Sequence, residues 1–354
     1  MDSDRQRSPM LLTKALPAGH PDIPIERIGV LLINLGTPDA TDFWSIRRYL
    51  REFLSDPRVI EVNPLIWQPI LNLIILNLRP GISGKAYREV WDRETDESPL
   101  RRYTREQAGG LGAHLATLGH DLVVDWAMRY GKPSIAEKIE AMKARGCQRI
   151  LLYALYPQYS ATTTATAYDK AFAALAKMRW QPAIRTVPAY PDEPAYIEAL
   201  ASSVRAHLQG LDWEPEVLLT SFHGLPKRYF DAGDPYHCHC AQTARLLGEA
   251  LNWQTKRVQL AFQSRFGREE WLRPYMQDVV SSLPGEGTKR VAVISPGFVS
   301  DCVETLEEVA IGLRGNFLEA GGEKFTYIPC LNASQAGVEV MEAVVLRELS
   351  GWLP

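Results

Sequence analysis

The side chains with the clearest capacity for chemistry are His223, the carboxylates Asp301, Glu304 and Glu308, and the consecutive His237, Cys238, His239 and Cys240. An imidazole titrates near neutral pH, so it can serve as a general base or as a metal ligand. His223 stands in SFHGLP, directly after the apolar run VLLTS. If that run is a strand of a parallel sheet, His223 lies just past its carboxyl end, where ligand groups collect. Phe298, Ser300, Asp301, Glu304 and Glu308 follow a second run, VAVISP, and Gln158, Tyr159 and Ser160 follow a third, LLYALYP. A helix beginning near Asp301 would put Asp301, Glu304 and Glu308 on one face, because they are spaced by three and four residues. Carboxylates also suit a helix N-terminus on electrostatic grounds alone, and Asp301 suits a cap. With the two halves of the chain facing each other across a cleft, one imidazole opposite a run of carboxylates would move protons and handle a divalent cation.

The string His237 to Cys240 holds only metal-ligating residue types. A structural zinc site needs four convergent ligands, with pairs spaced C-x2-4-C, whereas consecutive side chains diverge. No second CxxC or HxxxH pair completes a set. The string therefore reads as the opening of the helix through AQTARLLGEAL, with a zinc or iron–sulfur site on Cys238 and Cys240 as the competing reading.

Elements that could position these groups alternate along the chain. GVLLINLG at 29–36 reads as a buried strand, and FWSIRRYLREFL follows with Phe43, Ile46, Leu50 and Phe53 at helical spacing. The alternation continues through DLVVDWAM at 121–128, a helix opened by Ser134 with Glu137 in capping-box position, the strand RILLYALY at 149–156, and a helix over 163–178. Unbroken apolar strands between helices point to parallel sheets covered on both faces. The halves also echo each other: VLLINLGTP at 30–38 resembles VLLTSFHGLP at 217–226, and RILLYALYPQYS at 149–160 resembles RVAVISPGFVSD at 290–301. Val30 and Val217 are 187 residues apart and Arg149 and Arg290 are 141 apart, so the first half holds 46 extra residues between its matched strands. That surplus falls most simply within residues 39–100. The expected layout is a loose arm over 1–24, a first domain over 25–188 with the insertion near 39–100, a second domain over 189–331, and a C-terminal helix over 332–354 returning to the first. The proline-rich VPAYPDEP at 187–194 marks the junction.

A chain of 354 residues suits two domains, and 46% hydrophobic with 23% charged residues is the balance of a folded globular protein. A net charge of −3 offers no general attraction for nucleic acid. Five cysteines, three of them scattered at Cys147, Cys302 and Cys330, are not a disulfide framework, and a reducing, cytoplasmic compartment is expected. The N-terminal stretch is polar and carries early acidic residues, so no secretory signal is read there. VNPLIWQPILNLIILNL at 62–78 carries no charge. Two prolines, Gln68 and three asparagines interrupt it, and it falls short of the roughly 20 apolar residues that span a bilayer. It reads as a lip that dips into a membrane surface or lines a pocket, with a spanning helix as the competing reading.

Six strings occur in the order seen in ferrochelatases: LLINLGTP, MRYGKP, YPQYS, SFHGLPKRYFDAGDPY, FQSRFGREEWLRP and PGFVSDCVETLEE. From residue 28 onward the chain resembles the protoporphyrin-type members of that family, of the bacterial type without the C-terminal iron–sulfur extension of animal members. The resemblance implies an α/β fold of two similar Rossmann-like, doubly wound domains whose parallel sheets face a central porphyrin cleft. It implies insertion of Fe2+, a substrate, into protoporphyrin IX to form protohaem, with no tightly bound cofactor. By position, His223 becomes the proton acceptor and Glu304 its partner across the macrocycle, with Asp301 and Glu308 handling protons or metal beside them. Leu35, Tyr87, Ser98, Arg129, Tyr130, Trp271 and Phe298 become residues that line or orient the porphyrin. A contact with the preceding haem-pathway oxidase is implied too, and the lip would hold the protein peripherally on the cytoplasmic face of the inner membrane. Cys302 departs from the histidine that many relatives carry, Gly312 interrupts the acidic row of animal relatives, and Ala161 stands where their remaining cluster ligand lies, so a [2Fe-2S] cluster is not expected. A tetrapyrrole carrier, or a chelatase for cobalt or another tetrapyrrole, remains the alternative until metal insertion is measured.

Overall fold

The computed structural model describes residues 26–353 apart from Thr255 and Arg268, so the arm expected over 1–24 lies outside the described residues. Among the described residues, eight strands form two four-stranded parallel sheets. The first contains β1 (Arg27–Gly36), β2 (Leu122–Tyr130), β3 (Cys147–Ala154) and β4 (Ala183–Thr186), in the order β2-β1-β3-β4. The second contains β5 (Val217–His223), β6 (Val258–Gln263), β7 (Arg290–Ile294) and β8 (Lys324–Ile328), in the order β6-β5-β7-β8. Thus β5 holds the place of β1, and β7 that of β3, which are the two pairings the echoed strings call for. Strand order reverses direction at β1/β3 and at β5/β7, and a crevice opens at the carboxyl ends of strands where that happens.

The helices follow local rules. α1 (Phe43–Leu54) starts where Asp42 Oδ1 accepts the backbone N–H groups of Trp44 and Ser45. α4 (Pro99–Thr117) starts with Ser98 as cap and proline in its first turn, and α5 (Ile135–Ala144) carries the expected capping box of Ser134 and Glu137. In place of one helix over 163–178, a π-helical turn at Ala161–Ala165 runs into α6 (Thr166–Leu175).

The packing differs from two separate cores. One continuous apolar cluster takes Val30, Leu32 and Leu151 from the first sheet and Leu218, Ala292 and Ile294 from the second. Between them lie Leu111 and Leu115 of α4, Leu200 and Val204 of α7 (Pro194–Gln209), and Val344 and Val345 of α12 (Gln335–Glu348). The outer faces have clusters of their own, under α5 and α6 on one side and under α10 (Met276–Ser282) and α11 (Arg314–Glu319) on the other. Beyond α12 the chain reaches the edge of the first sheet, where Arg185 Nη1 donates to the carbonyls of Glu348 at 2.7 Å and Ser350 at 2.8 Å.

The surplus of the first half sits between β1 and β2. Its centre is one helix from Pro64 to Val90, formed by α2 (Pro64–Ile70), a π-helical turn at Leu71–Ile75 and α3 (Leu76–Val90). The prolines and asparagines do not break it. Pro69 has no N–H to donate to the carbonyl four residues back, and the ladder widens directly after it. Asn72 Nδ2 donates to Gln68 O at 2.8 Å and Asn77 Nδ2 to Leu73 O at 2.9 Å, so both feed the helix's own carbonyls. By length and composition this helix could cross a membrane, and only 17% of its most apolar window is buried.

Gly36, at the end of β1, has φ +117°, and a Cβ there would stand 2.0 Å from the Tyr130 carbonyl oxygen. Gly36→Ala should therefore lower unfolding free energy by about 2–4 kcal/mol. The expected readout is a lower urea midpoint at unchanged slope, and an unshifted midpoint would refute this close approach.

Candidate active site

A cleft of about 970 Å³ of atom-free space, part of it open to solvent, lies at the two crevices. Residues at the end of β1 (Leu35, Gly36), just past it (Thr37) and past β3 (Leu155, Tyr156, Gln158) meet His223 at the end of β5 and Phe298 to Ser300 past β7. Tyr49 and Phe53 of α1 and Tyr87 of α3 close the side. Tyr49 meets Tyr87 edge-on at 6.5 Å, and Tyr87 meets Trp91 edge-on at 6.3 Å. Such aromatic walls fit a flat apolar ligand.

His223 Nδ1 lies 2.7 Å from the Gly224 carbonyl oxygen. A carbonyl only accepts, so Nδ1 carries the hydrogen and Nε2 is the nitrogen left to take a proton. Gly224 permits this turn, since a Cβ there would meet the Gln263 carbonyl at 2.7 Å and Trp271 Cε3 at 3.1 Å. Glu304 opens a π-helix, Glu304–Leu313, and lines the same cleft. Gln263 Nε2 donates to its backbone carbonyl at 2.9 Å and so anchors the start of that helix against β6. His223 comes from the end of β5 and Glu304 from the helix that follows β7, so both belong to the second half, and the first sheet and the inserted helices supply walls.

The acidic row is not one helical face. Asp301 precedes the helix, is 2% exposed, and accepts from Thr305 Oγ1 at 2.9 Å, Tyr327 hydroxyl at 2.7 Å and Asn332 Nδ2 at 2.7 Å. Its oxygens are occupied by neutral donors, which makes it an anchor for the chain entering the helix. Glu308 is held by Ser264, whose N–H donates at 2.7 Å and whose hydroxyl donates at 2.6 Å. Among the described residues, no group of three or more His, Cys, Asp or Glu side chains is placed to cage a metal. Glu307 was not a sequence candidate. Partial burial, then Glu89, Glu308 and Glu304, raise its pKa above the usual glutamate value. The ETLEE string contained it, but nothing in the sequence pointed to Glu89.

Leu35, Tyr87, Ser98, His223, Phe298 and Glu304 line the cleft, whereas Arg129, Tyr130, Trp271, Asp301 and Glu308 stand outside its lining. Arg129 is paired with the buried Asp56 and donates to Thr166 O at 3.0 Å and Thr166 Oγ1 at 2.7 Å. Tyr130 donates to Asp56 at 2.8 Å and packs edge-on behind Phe53 at 5.1 Å. Ser98 is occupied as a cap, its Oγ accepting Arg101 N–H at 3.2 Å. Cys302 is a lining residue the sequence did not assign to the porphyrin wall, and burial, then the nearby Glu304 charge, pushes its thiol well above the ordinary value. Burial, then Tyr87 and Glu304, raises Tyr49, and burial, then Glu304 and Cys302, raises Tyr87, so these hydroxyls stay protonated. Thr37 Oγ1 and the Tyr156 hydroxyl are buried without a hydrogen-bond partner among the described residues, and both residues line the cleft.

A ferrochelatase family model matches residues 27–349. The chain belongs to the ferrochelatase family. It is 61% identical over 339 residues to the ferrochelatase of Agrobacterium fabrum, covering 96% of this chain and 98% of that one. It is 60% identical over 334 residues to the ferrochelatase of Rhizobium meliloti, covering 94% and 98%. Among solved structures, the fold resembles SirB from Bacillus subtilis with Fe3+, with a TM-score of 0.55 at 12% identity over 92% of this chain and 98% of that one. It also resembles the sirohydrochlorin chelatase SirB of Bacillus subtilis subspecies spizizenii in complex with cobalt, with a TM-score of 0.51 at 11% identity over 92% and 96%. Family membership accords with a cleft set where two doubly wound sheets reverse direction.

The run His237 to Cys240 opens α9 (Tyr236–Ala250), which follows the short α8 (Lys227–Asp231), and its side chains part company. His237 stacks on Phe262 at 5.7 Å, Cys238 is exposed, His239 Nδ1 accepts the Tyr159 N–H at 3.2 Å, and Cys240 is fully buried. His239, Asp234 and Thr243 thus tie the YPQYS loop to the second half, since Asp234 also accepts Ser160 Oγ at 2.9 Å and Thr243 Oγ1 accepts Gln158 Nε2 at 2.9 Å. Cys238→Ser should leave stability unchanged. Cys240→Ser should lower it by about 1–3 kcal/mol, since it places a hydroxyl in an apolar core. Thermal unfolding of the two single variants checks this, and equal melting temperatures would contradict the placement of Cys240.

Proposed function

We propose that the chain inserts Fe2+ into protoporphyrin IX to form protohaem, the terminal step of haem biosynthesis, with release of the two pyrrole N–H protons. The observation that carries this reading is a single imidazole, its Nδ1 committed to a carbonyl, in an aromatic cleft that also holds Glu304. His223 Nε2 takes a pyrrole proton, and Glu304 receives a proton or the entering metal. Glu307 and Glu308 continue the carboxylates beyond the cleft, a hard oxygen path that passes Fe2+ on where a cage of thiolates and imidazoles would retain it. Asp301 and Arg129 act indirectly, one holding the start of the Glu304 helix and the other holding Asp56 behind the wall. The unpartnered hydroxyls of Thr37 and Tyr156 suit a polar edge of the ligand or a water beside it. The protein works without a resident cofactor, and iron is its substrate.

An anaerobic assay with Fe2+, Co2+ and several porphyrins tests the reaction. Haem formation from protoporphyrin with preference for Fe2+ is expected, and porphyrin binding without insertion would replace the enzyme with a carrier. His223→Ala should lower turnover by about 10²–10⁴-fold with porphyrin affinity retained. Near-normal turnover in that variant would overturn the assignment of His223.

We also propose that the protein sits peripherally on the cytoplasmic face of the inner membrane through the Pro64–Val90 helix, where an apolar porphyrin arrives from the preceding oxidase. Support comes from its exposed apolar residues, among them Leu65 at 85%, Leu73 at 72% and Ile82 at 72% exposure. Ile70 and Ile74 are both exposed and lie four residues apart. Ile70→Glu with Ile74→Glu should weaken vesicle flotation and raise the KM for protoporphyrin while sparing kcat. Unchanged flotation and KM would remove the membrane reading.

A further inference from the structure

A second, open pocket lies on the side of α1 away from the cleft, lined by Arg48, Arg51 and Glu52 of that helix with Asp56, Arg129 and Lys170. Its charge is unevenly committed. Asp56 and Arg129 neutralise each other, and Asp56 accepts Tyr130 and Thr166 hydroxyls as well. Glu52 Oε2 accepts the Gly131 N–H at 2.9 Å, and Arg48 Nη2 donates only to Ser45 Oγ at 2.9 Å. The side chains of Arg51 and Lys170 have neither an ion pair nor a hydrogen bond among the described residues. Three cations against the one remaining carboxylate therefore leave the pocket electropositive.

Its position relative to the apolar helix gives that charge a meaning. Trp44, Arg48 and Arg51 lie at steps of four and three along α1 and are all exposed, so one stripe runs from an aromatic residue at 64% exposure into the pocket. α1 and the turn that leads into it are fastened to the Pro64–Val90 helix: Arg47 Nε donates to Leu76 O at 3.2 Å, and a Cβ on Gly84 would stand 2.9 Å from Thr41 O, just before α1, and 3.6 Å from Ile46 Cγ1 of α1. An apolar face, an adjacent tryptophan and a basic recess on one rigid unit match the layers of a lipid surface. Acyl chains take the first, the interfacial region the second, and head-group phosphate the third.

We propose that this pocket receives the phosphate of an anionic phospholipid while the Pro64–Val90 helix enters the acyl layer. The proposal rests on the peripheral-membrane reading above and adds a head-group preference and a fixed orientation to it.

The test is flotation of the full-length protein with phosphatidylcholine vesicles and with vesicles containing phosphatidylglycerol. The wild type is compared with Arg48→Gln/Arg51→Gln/Lys170→Gln and with a charge-matched control, Arg145→Gln/Arg314→Gln/Lys324→Gln, at exposed sites on other elements. The wild type should prefer phosphatidylglycerol. The pocket variant should lose roughly tenfold to a hundredfold of that partitioning, keep its binding to phosphatidylcholine, and form haem normally from detergent-dispersed porphyrin, while the control keeps the preference. Equal losses in the two variants would overturn the pocket in favour of diffuse charge. Equal binding of the wild type to both vesicles would overturn it and leave the membrane reading standing, and flotation with neither would remove both. Titration with inorganic phosphate separates the sources: phosphate binding lost in the pocket variant with vesicle binding intact would reassign the pocket to a soluble anion.

Discussion

One apolar layer shared by two parallel sheets sets the geometry on which the site depends. Leu111 and Leu115 of α4, Leu200 and Val204 of α7, and Val344 and Val345 of α12 pack between the inner faces of both sheets. Neither sheet can rotate against the other without exposing that layer, and each exposed Å² of apolar surface is worth about 25 cal/mol. The places where strand order reverses are thereby held together as one cleft. Buried polar contacts set its fine position. Gln107 Nε2 reaches from α4 to the carbonyls of Val299 at 3.2 Å and Asn332 at 3.0 Å, and its amide oxygen accepts from Ser300 Oγ at 3.1 Å. Breaking such a contact strands a buried polar group, so the seam resists sliding as well as opening.

Within that frame the halves divide the work. The second half carries His223 at a strand end and Glu304 at a helix start, while the first sheet and its inserted helices carry aromatic walls and tyrosines kept protonated by burial. Behind the walls, Asp56 gathers Arg129, Tyr130 and Thr166, and Asp301 gathers Thr305, Tyr327 and Asn332. These two buried carboxylates stiffen what touches the ligand, and a second layer of this kind keeps a reacting group within a fraction of an ångström of its place.

Much of this was legible in the sequence because the signals are local. FWSIRRYLREFL begins and ends as α1 does, the Ser134 capping box is present, and the echoed strings occupy matching strands. His223 was legible because a strand end follows directly from an apolar run. Other assignments depended on partners far away in the chain. Arg129 is expected to line or orient the porphyrin, but its side chain is committed to Asp56, 73 residues earlier. Asp301 reads as the first member of an acidic face, yet Tyr327 and Asn332 claim it, and a π-helix with its wider turn replaces the expected α-helix after it. The asparagines of the lip read as interruptions because a composition scan cannot see that they bond their own helix. The four residues from His237 to Cys240 look like a set, and the turn of α9 sends each into different surroundings.

The doubled architecture raises a question of symmetry. Gly36 and His223 are 187 residues apart, as are Val30 and Val217, so Gly36 holds in the first sheet the place that His223 holds in the second. No side chain fits at Gly36, because the Tyr130 carbonyl already occupies the direction a Cβ would take. A fold built from two like halves therefore presents an imidazole from one strand end and bare backbone from its twin. In the proposed reaction, a flat ligand entering between them would meet an imidazole at one strand end and bare backbone, flanked by the aromatic wall, at the other. Handedness in the reaction would then come from a steric veto at a single glycine, with no need for the halves to have diverged in fold.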